Sequence, residues 1–75
     1  MKNNTSNNGK YICKYADGTI QSTGQHVDGK MDGYWEWFRK DGTKMRSGSF
    51  ELDKQVGKWT TYNRGGDVVK KTDYK

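Results

Sequence analysis

The sequence has no proline and a single cysteine in 75 residues. One thiol cannot close an internal disulfide, so nothing points to a disulfide-stapled secreted scaffold. The ten glycines are spaced rather than clustered, which excludes collagen-like and linker compositions. Apolar residues are scarce as well: the hydrophobic fraction is 29% against 31% charged, and the mean hydropathy is −1.27. No apolar run approaches the ~20 residues that a membrane helix needs. The opening MKNNTSNNG lacks the apolar segment of a signal peptide, so the cytoplasm is the default compartment. Cys13 and the lone His26 fall short of the donor set of a zinc site. No calcium loop, dinucleotide fingerprint or phosphate loop is present either. No cofactor and no metal are expected.

Composition of this kind leans toward disorder, and the aromatics pull the other way. Three tryptophans, five tyrosines and two phenylalanines each bury a large area, so a thin core built of rings is the expectation. The spacing of residues supports it. A shift of 24 residues superposes Gly18, Gly42 and Gly66, then Gly9, Gly33 and Gly57, then His26, Phe50 and Tyr74. A fixed period of this length is the mark of a stacked-repeat architecture.

The chain therefore divides into an asparagine-rich tail, residues 1–8, expected to fray, and a repeat domain, residues 9–75. The repeats run 9–32, 33–56 and 57–75. Each one is a hairpin. Tyr11, Cys13 and Tyr15 alternate with Lys10, Ile12 and Lys14, as in a strand. Ala16-Asp17-Gly18, Lys40-Asp41-Gly42 and Arg64-Gly65-Gly66 are turns, because glycine accepts the positive φ that a tight hairpin needs. Asp28-Gly29-Lys30 leads into the second repeat, and Leu52 to Val56 connects onward to the third. Ten glycines at ~1 kcal/mol each relative to alanine would dismantle a helical reading. The fold class expected is all-β: six short strands in one open antiparallel meander.

On that scheme Trp35 and Trp37 share one face of their strand, with Glu36 and Phe38 on the other. Ile12, Trp35 and Trp59 are read as one row and Tyr15, Phe38 and Tyr62 as another. The first strand is taken as one residue shorter to its turn. Tyr11 then competes with Ile12 for the tryptophan row, and a bulge would reconcile the registers.

The stretches from His26 to Trp35 and from Phe38 to Gly42 resemble the units of MORN-type repeats, in the variant form of YwqK-like bacterial proteins labelled antitoxin components. The likeness covers residues 9–75. The first unit departs by lacking its tryptophan, and the third has Thr72 where Gly48 stands. The resemblance implies one hairpin per repeat stacked into an elongated sheet. It also implies scaffolding or membrane contact, or, by the antitoxin label, the binding of a partner toxin. It carries no residue-level functional motif.

As a catalytic pair, Cys13 and His26 fail on geometry. With Cys13 opposite Ser22 they stand roughly 13 Å apart along the strand, beyond the hydrogen-bond reach a nucleophile and its base require. His26 falls instead in the row of Phe50 and Tyr74, as a flat packing group. The expected function is a non-enzymatic interaction module that binds a protein, or a second copy of the chain, through the aromatic sheet face or an edge strand. Its candidate contacts are Tyr34, Trp37, Phe38, Tyr62 and Tyr74, since tyrosine and tryptophan are the usual anchors. The alternative is an anionic membrane surface or single-stranded nucleic acid, because the net charge of +5 is concentrated in the third repeat. The contacts would then be Lys44, Arg46, Lys70 and Lys71, with Lys44 read on the same face as Arg46. The basic groups form no continuous stripe, which ranks nucleic acid below a membrane surface and both below a protein.

Overall fold

The computed structural model describes residues 9–74; the tail expected over residues 1–8 lies outside them. The described chain is all-β. Six strands, β1 (Gly9–Lys14), β2 (Ile20–Val27), β3 (Lys30–Phe38), β4 (Lys44–Glu51), β5 (Lys54–Tyr62) and β6 (Val68–Tyr74), pair antiparallel in sequence order as one open meander. The extents are 43 × 35 × 11 Å. A second layer would add about 10 Å to the short axis, so the sheet is a single layer. Its radius of gyration of 13.4 Å exceeds the about 11 Å of a compact domain of this length.

The three hairpin turns share one chemistry. In the first, Gly18 N donates to Tyr15 O at 2.9 Å and Tyr15 N to Thr19 O at 2.8 Å, a pattern that recurs around Arg39 and Asn63. Gly18, Gly42 and Gly66 sit at φ of 93°, 91° and 91°, the left-handed corner that follows a tight turn. Asp17 and Asp41 each accept from the backbone N and hydroxyl of the threonine two residues on, the local bond for which aspartate is favoured in turns.

The opposite ends of the strands turn differently. Asp28 and Gly29, then Leu52 and Asp53, hold positive φ in pairs, as two-residue hairpin loops demand. The expected connector from Leu52 to Val56 is thus only Leu52-Asp53, with β5 already begun at Lys54. Leucine in this conformation costs about 1–2 kcal/mol. Hydrogen bonds to the start of β3 offset the cost. Asp53 N donates to Met31 O at 2.8 Å, Met31 N donates to Asp53 Oδ1 at 2.8 Å, and Leu52 N donates to Asp32 Oδ1 at 3.2 Å.

One face, the ring face, carries the core. Tyr11, Trp35, Trp37 and Trp59 run across the strands with centroid spacings of 5.5, 6.0 and 5.4 Å. His26 and Phe50 stand edge-on to Trp35 and Trp59 at 5.4 and 5.1 Å, and Tyr74 closes the row against Trp59 at 6.1 Å. Such edge-on and offset contacts add about 0.5–1.5 kcal/mol each to the area they bury. Among the described residues only Trp35 and Trp59 are buried hydrophobics, at 2% and 4% exposure.

Two glycines make that burial attainable in a single layer. The indole of Trp35 lies against Gly24 of β2 and that of Trp59 against Gly48 of β4, so closely that a Cβ at either glycine would collide with the ring. Register slips seat the rings. Between Thr23↔Glu36 and Gln25↔Asp32, Gly24 faces the run Gly33–Trp35, and between Ser47↔Thr60 and Ser49↔Val56, Gly48 faces Gly57–Trp59. Gly33 and Gly57 take φ of 75° and 71° to allow it.

The first repeat corrects the row assignment. Tyr11 pairs with Gly24 as Trp35 pairs with Gly48 and Trp59 with Thr72, so Tyr11 holds the tryptophan row. Ile12 faces the other way, 50% exposed. Lys14, Phe38 and Tyr62 are the equivalent positions next to the turn bulge, and Tyr15 matches Arg39 instead. The three hairpins have the same length from ring to turn glycine, so no difference in register needed reconciling.

We expect Gly24→Ala and Gly48→Ala each to lower the unfolding free energy in urea by about 1–3 kcal/mol or more, through overpacking beneath the indole. Gly65→Ala, whose Cβ would meet nothing closer than 3.4 Å, should change it by no more than about 0.5 kcal/mol.

Candidate functional site

Alternation along the strands sends the remaining side chains to the second, plain face. Tyr34, Glu36, Phe38, Lys44 and Tyr62 lie there. Lys44 Nζ binds Glu36 Oε2 at 2.7 Å and stands 5.5 Å from the Tyr62 ring centroid. Tyr34 OH donates to Glu36 Oε2 at 3.2 Å. Ser47, buried on the same face, lies 3.4 Å from Tyr62 OH through its hydroxyl oxygen.

The candidate residues thus separate. Trp37 and Tyr74 belong to the ring face, while Tyr34, Phe38 and Tyr62 come together on the plain one. Lys44 is not on the face of Arg46. Phe38 pairs with Lys44 while Trp37 pairs with Arg46, so Met45 is a bulged residue that reverses the alternation between them. Arg46 lies over both Trp37 and Trp59, its guanidinium 4.9 and 5.3 Å from the ring centroids. That stacking is favourable where water is partly excluded. Lys70 and Lys71 lie exposed on β6.

The tips of neighbouring hairpins are joined by rungs that recur with the period. Tyr15 OH donates to Phe38 O at 2.7 Å, and Arg39 Nη2 donates to Tyr62 O at 2.6 Å. Farther out, Arg64 Nε binds Asp41 Oδ2 at 2.7 Å. Two grooves lie along these tips. One, of about 390 Å³, is lined by Ile20, Thr23, Glu36 and Phe38 with the turn residues Gly18, Thr19 and Gly42. The other, of about 310 Å³, is lined by Lys44, Tyr62, Asn63 and Arg64 with Thr43, Gly65 and Gly66. Thr19, Phe38 and Gly42 of the first correspond to Thr43, Tyr62 and Gly66 of the second at the 24-residue shift. The first groove is apolar with a carboxylate at its wall, and the second has two basic side chains at its wall, Lys44 and Arg64, each paired with a carboxylate.

Exposed apolar side chains continue the plain face toward both edges: Ile12 is 50% exposed, Ile20 40%, Tyr34 56% and Val68 47%. Ile20 and Val68 were missed in the sequence because a single aliphatic residue carries no signal. The true row of Lys14, Phe38 and Tyr62, with their partners Ile20, Lys44 and Val68, would have found them.

Cys13 and His26 are not brought together. Cys13 pairs with Ser22 and His26 with Gly9, while Cys13 Sγ donates to Gln21 Oε1 at 3.2 Å and the His26 ring packs edge-on against Tyr11 at 4.7 Å. A hydrogen bond with Cys13 pushes the Tyr11 phenol above its usual pKa. Among the described residues no group of three or more His, Cys, Asp or Glu is placed to hold a metal ion. No family model, no curated protein and no solved structure matches the chain.

Charge at the turns is fixed by hydrogen bonding. The Asp41 carboxyl is held well below the usual carboxylate range by the Thr43 hydroxyl and backbone N–H and then by Arg64. Asp17 is lowered by the backbone N–H and hydroxyl of Thr19. Both groups bind fewer protons folded than unfolded below the ordinary aspartate value of about 3.9. Their contribution is present above that value and lost as the pH falls through the folded one. Lys44 runs the opposite way: its bond to Glu36 raises its pKa, so its contribution is lost only as the pH rises through the folded value. In a carbon-detected NMR titration, Asp41 should remain ionised at about pH 3, where an unperturbed aspartate is largely protonated. In Thr43→Val it should move back toward the ordinary range.

Proposed function

We propose that this chain is a non-enzymatic protein-interaction module that binds its partner on the plain face. The row of Ile20, Phe38, Tyr62 and Val68 with Tyr34 above it forms the contact surface. The observation that carries the reading is the division of labour between the two faces. The ring face uses Trp35, Trp37, Phe50 and Trp59 against one another and under Arg46. The plain face leaves Tyr34 56% and Ile20 40% exposed beside the apolar groove. Apolar side chains grouped in this way on an uncovered surface suit a protein partner, with tyrosine as anchor.

The resemblance to MORN-type and YwqK-like units supports a scaffolding or antitoxin role for such a module. The reading as an anionic-surface binder is weaker. Two of its four candidate contacts are engaged within the chain, Lys44 with Glu36 and Arg46 over two tryptophans.

The test is affinity capture from the source organism with the wild type and an Ile20→Lys, Tyr34→Ala variant. Binding is then remeasured with the purified partner, RNA and acidic vesicles. The expected result is one stoichiometric protein whose affinity falls at least ten-fold for the variant. RNA bound in a salt-sensitive manner, or sedimentation with acidic vesicles, each undiminished by the two substitutions and without a protein partner, would overturn the reading.

A further inference from the structure

The two edges of the sheet are not equivalent. β1, β3 and β5 occupy corresponding places in the three hairpins, and each has a glycine in the left-handed region two residues before its ring (Tyr11, Trp35 or Trp59): Gly9 at φ 105°, Gly33 at 75° and Gly57 at 71°. In β3 and β5 this glycine lets the strand bulge toward the strand before it and carries a ring onto that strand's glycine. Among the described residues β1 has no strand before it, yet Gly9 holds the same class of conformation.

The two existing junctions specify what such a neighbour looks like. β2 presents Thr23-Gly24-Gln25-His26 and β4 presents Ser47-Gly48-Ser49-Phe50. In each, the glycine lies under the indole of the following strand, and the aromatic two residues on stands edge-on to that indole. Trp59 Nε1 also donates to the carbonyl of Ser49, the residue after the glycine, at 3.1 Å.

We propose that the free edge of β1 is a strand-accepting site for an extended segment of a different protein, one that reads Ser/Thr-Gly-any-aromatic and sets its glycine against Tyr11. The proposal rests on the reading of the chain as a protein-interaction module and names one edge and one partner chemistry for it. Backbone hydrogen bonds from the alternate amides of β1 supply the affinity, and the glycine supplies the selectivity.

The β6 edge of a second copy of this chain does not fit. The segment it would offer is Lys71-Thr72-Asp73-Tyr74 of β6, which has the aromatic but carries Thr72 in the glycine's place. The Cβ of Thr72 fills the space a ring needs. Thr72 thereby keeps the chain from adding to itself head to tail.

The test uses the whole, isotopically labelled chain and an octapeptide with the sequence of residues 44–51, Lys-Met-Arg-Ser-Gly-Ser-Phe-Glu. Its counterpart carries threonine for glycine. The expected result is saturable amide shifts confined to Gly9–Lys14 and the rings of Tyr11 and Trp35, with at least ten-fold weaker binding of the threonine peptide. In sedimentation equilibrium the full chain with Thr72→Gly should associate at concentrations where the wild type does not. Shifts elsewhere or none at all, equal affinity for the two peptides, or a Thr72→Gly chain that associates no more than the wild type overturns the proposal. A protein partner captured through Ile20 and Tyr34 under those outcomes leaves the interaction reading intact and removes only the edge.

Discussion

The structure depends on an indole lying flat against a backbone that has no side chain. A single-layer sheet has nothing behind it, so a large ring on its surface would ordinarily stay half in water. Gly24 and Gly48 remove the obstacle. With no Cβ in the way, Trp35 and Trp59 rest on the neighbouring strand and reach 2% and 4% exposure in a slab 11 Å thick. At about 25 cal/mol per Å² and 150–250 Å² per aromatic side chain, each ring contributes roughly 4–6 kcal/mol in gross terms. That is a large share of what a domain this small can gather.

Everything else on the ring face follows from that seat. Trp37 fills the interval between the two seated indoles, Phe50 stands edge-on against all three, and Arg46 closes the top. The first repeat has Cys13 at the place of Trp37, and there Tyr11 itself comes within 5.5 Å of Trp35. Away from the seam, neighbouring hairpins are tied at both ends, by Tyr15 and Arg39 reaching the carbonyls of Phe38 and Tyr62 and by Asp53 clasping Met31. The plain face carries the Lys44–Glu36 ion pair and leaves much of its apolar surface uncovered. Its tyrosines, isoleucines and grooves are therefore available for contact.

The architecture was largely legible in the residues, because glycines at a fixed interval mark where a chain must reverse or be approached closely. The hairpins, the strand order, the pairing of Cys13 with Ser22 and the row of His26, Phe50 and Tyr74 all come from that spacing. What escaped was local. Met45 is bulged, and one bulged residue reverses which face every later side chain takes, so Lys44 was assigned to the wrong side. Asp53 accepts a left-handed conformation where a glycine would be looked for, which shortened the expected connector. The proposed contact surface was only half visible: aromatics announce themselves in a sequence, whereas Ile20 and Val68 acquire meaning only once the register is known.

The most direct test of the glycine seats is a proton NMR measurement on the unmodified chain. A proton held against the face of an indole is shifted far upfield and shows cross-relaxation with the ring. The Hα resonances of Gly24 and Gly48 should be displaced upfield and cross-relax with the indoles of Trp35 and Trp59 respectively, while those of Gly65 should do neither. Gly24 and Gly48 resonating at ordinary glycine positions, with no indole contact, would contradict the account at its foundation.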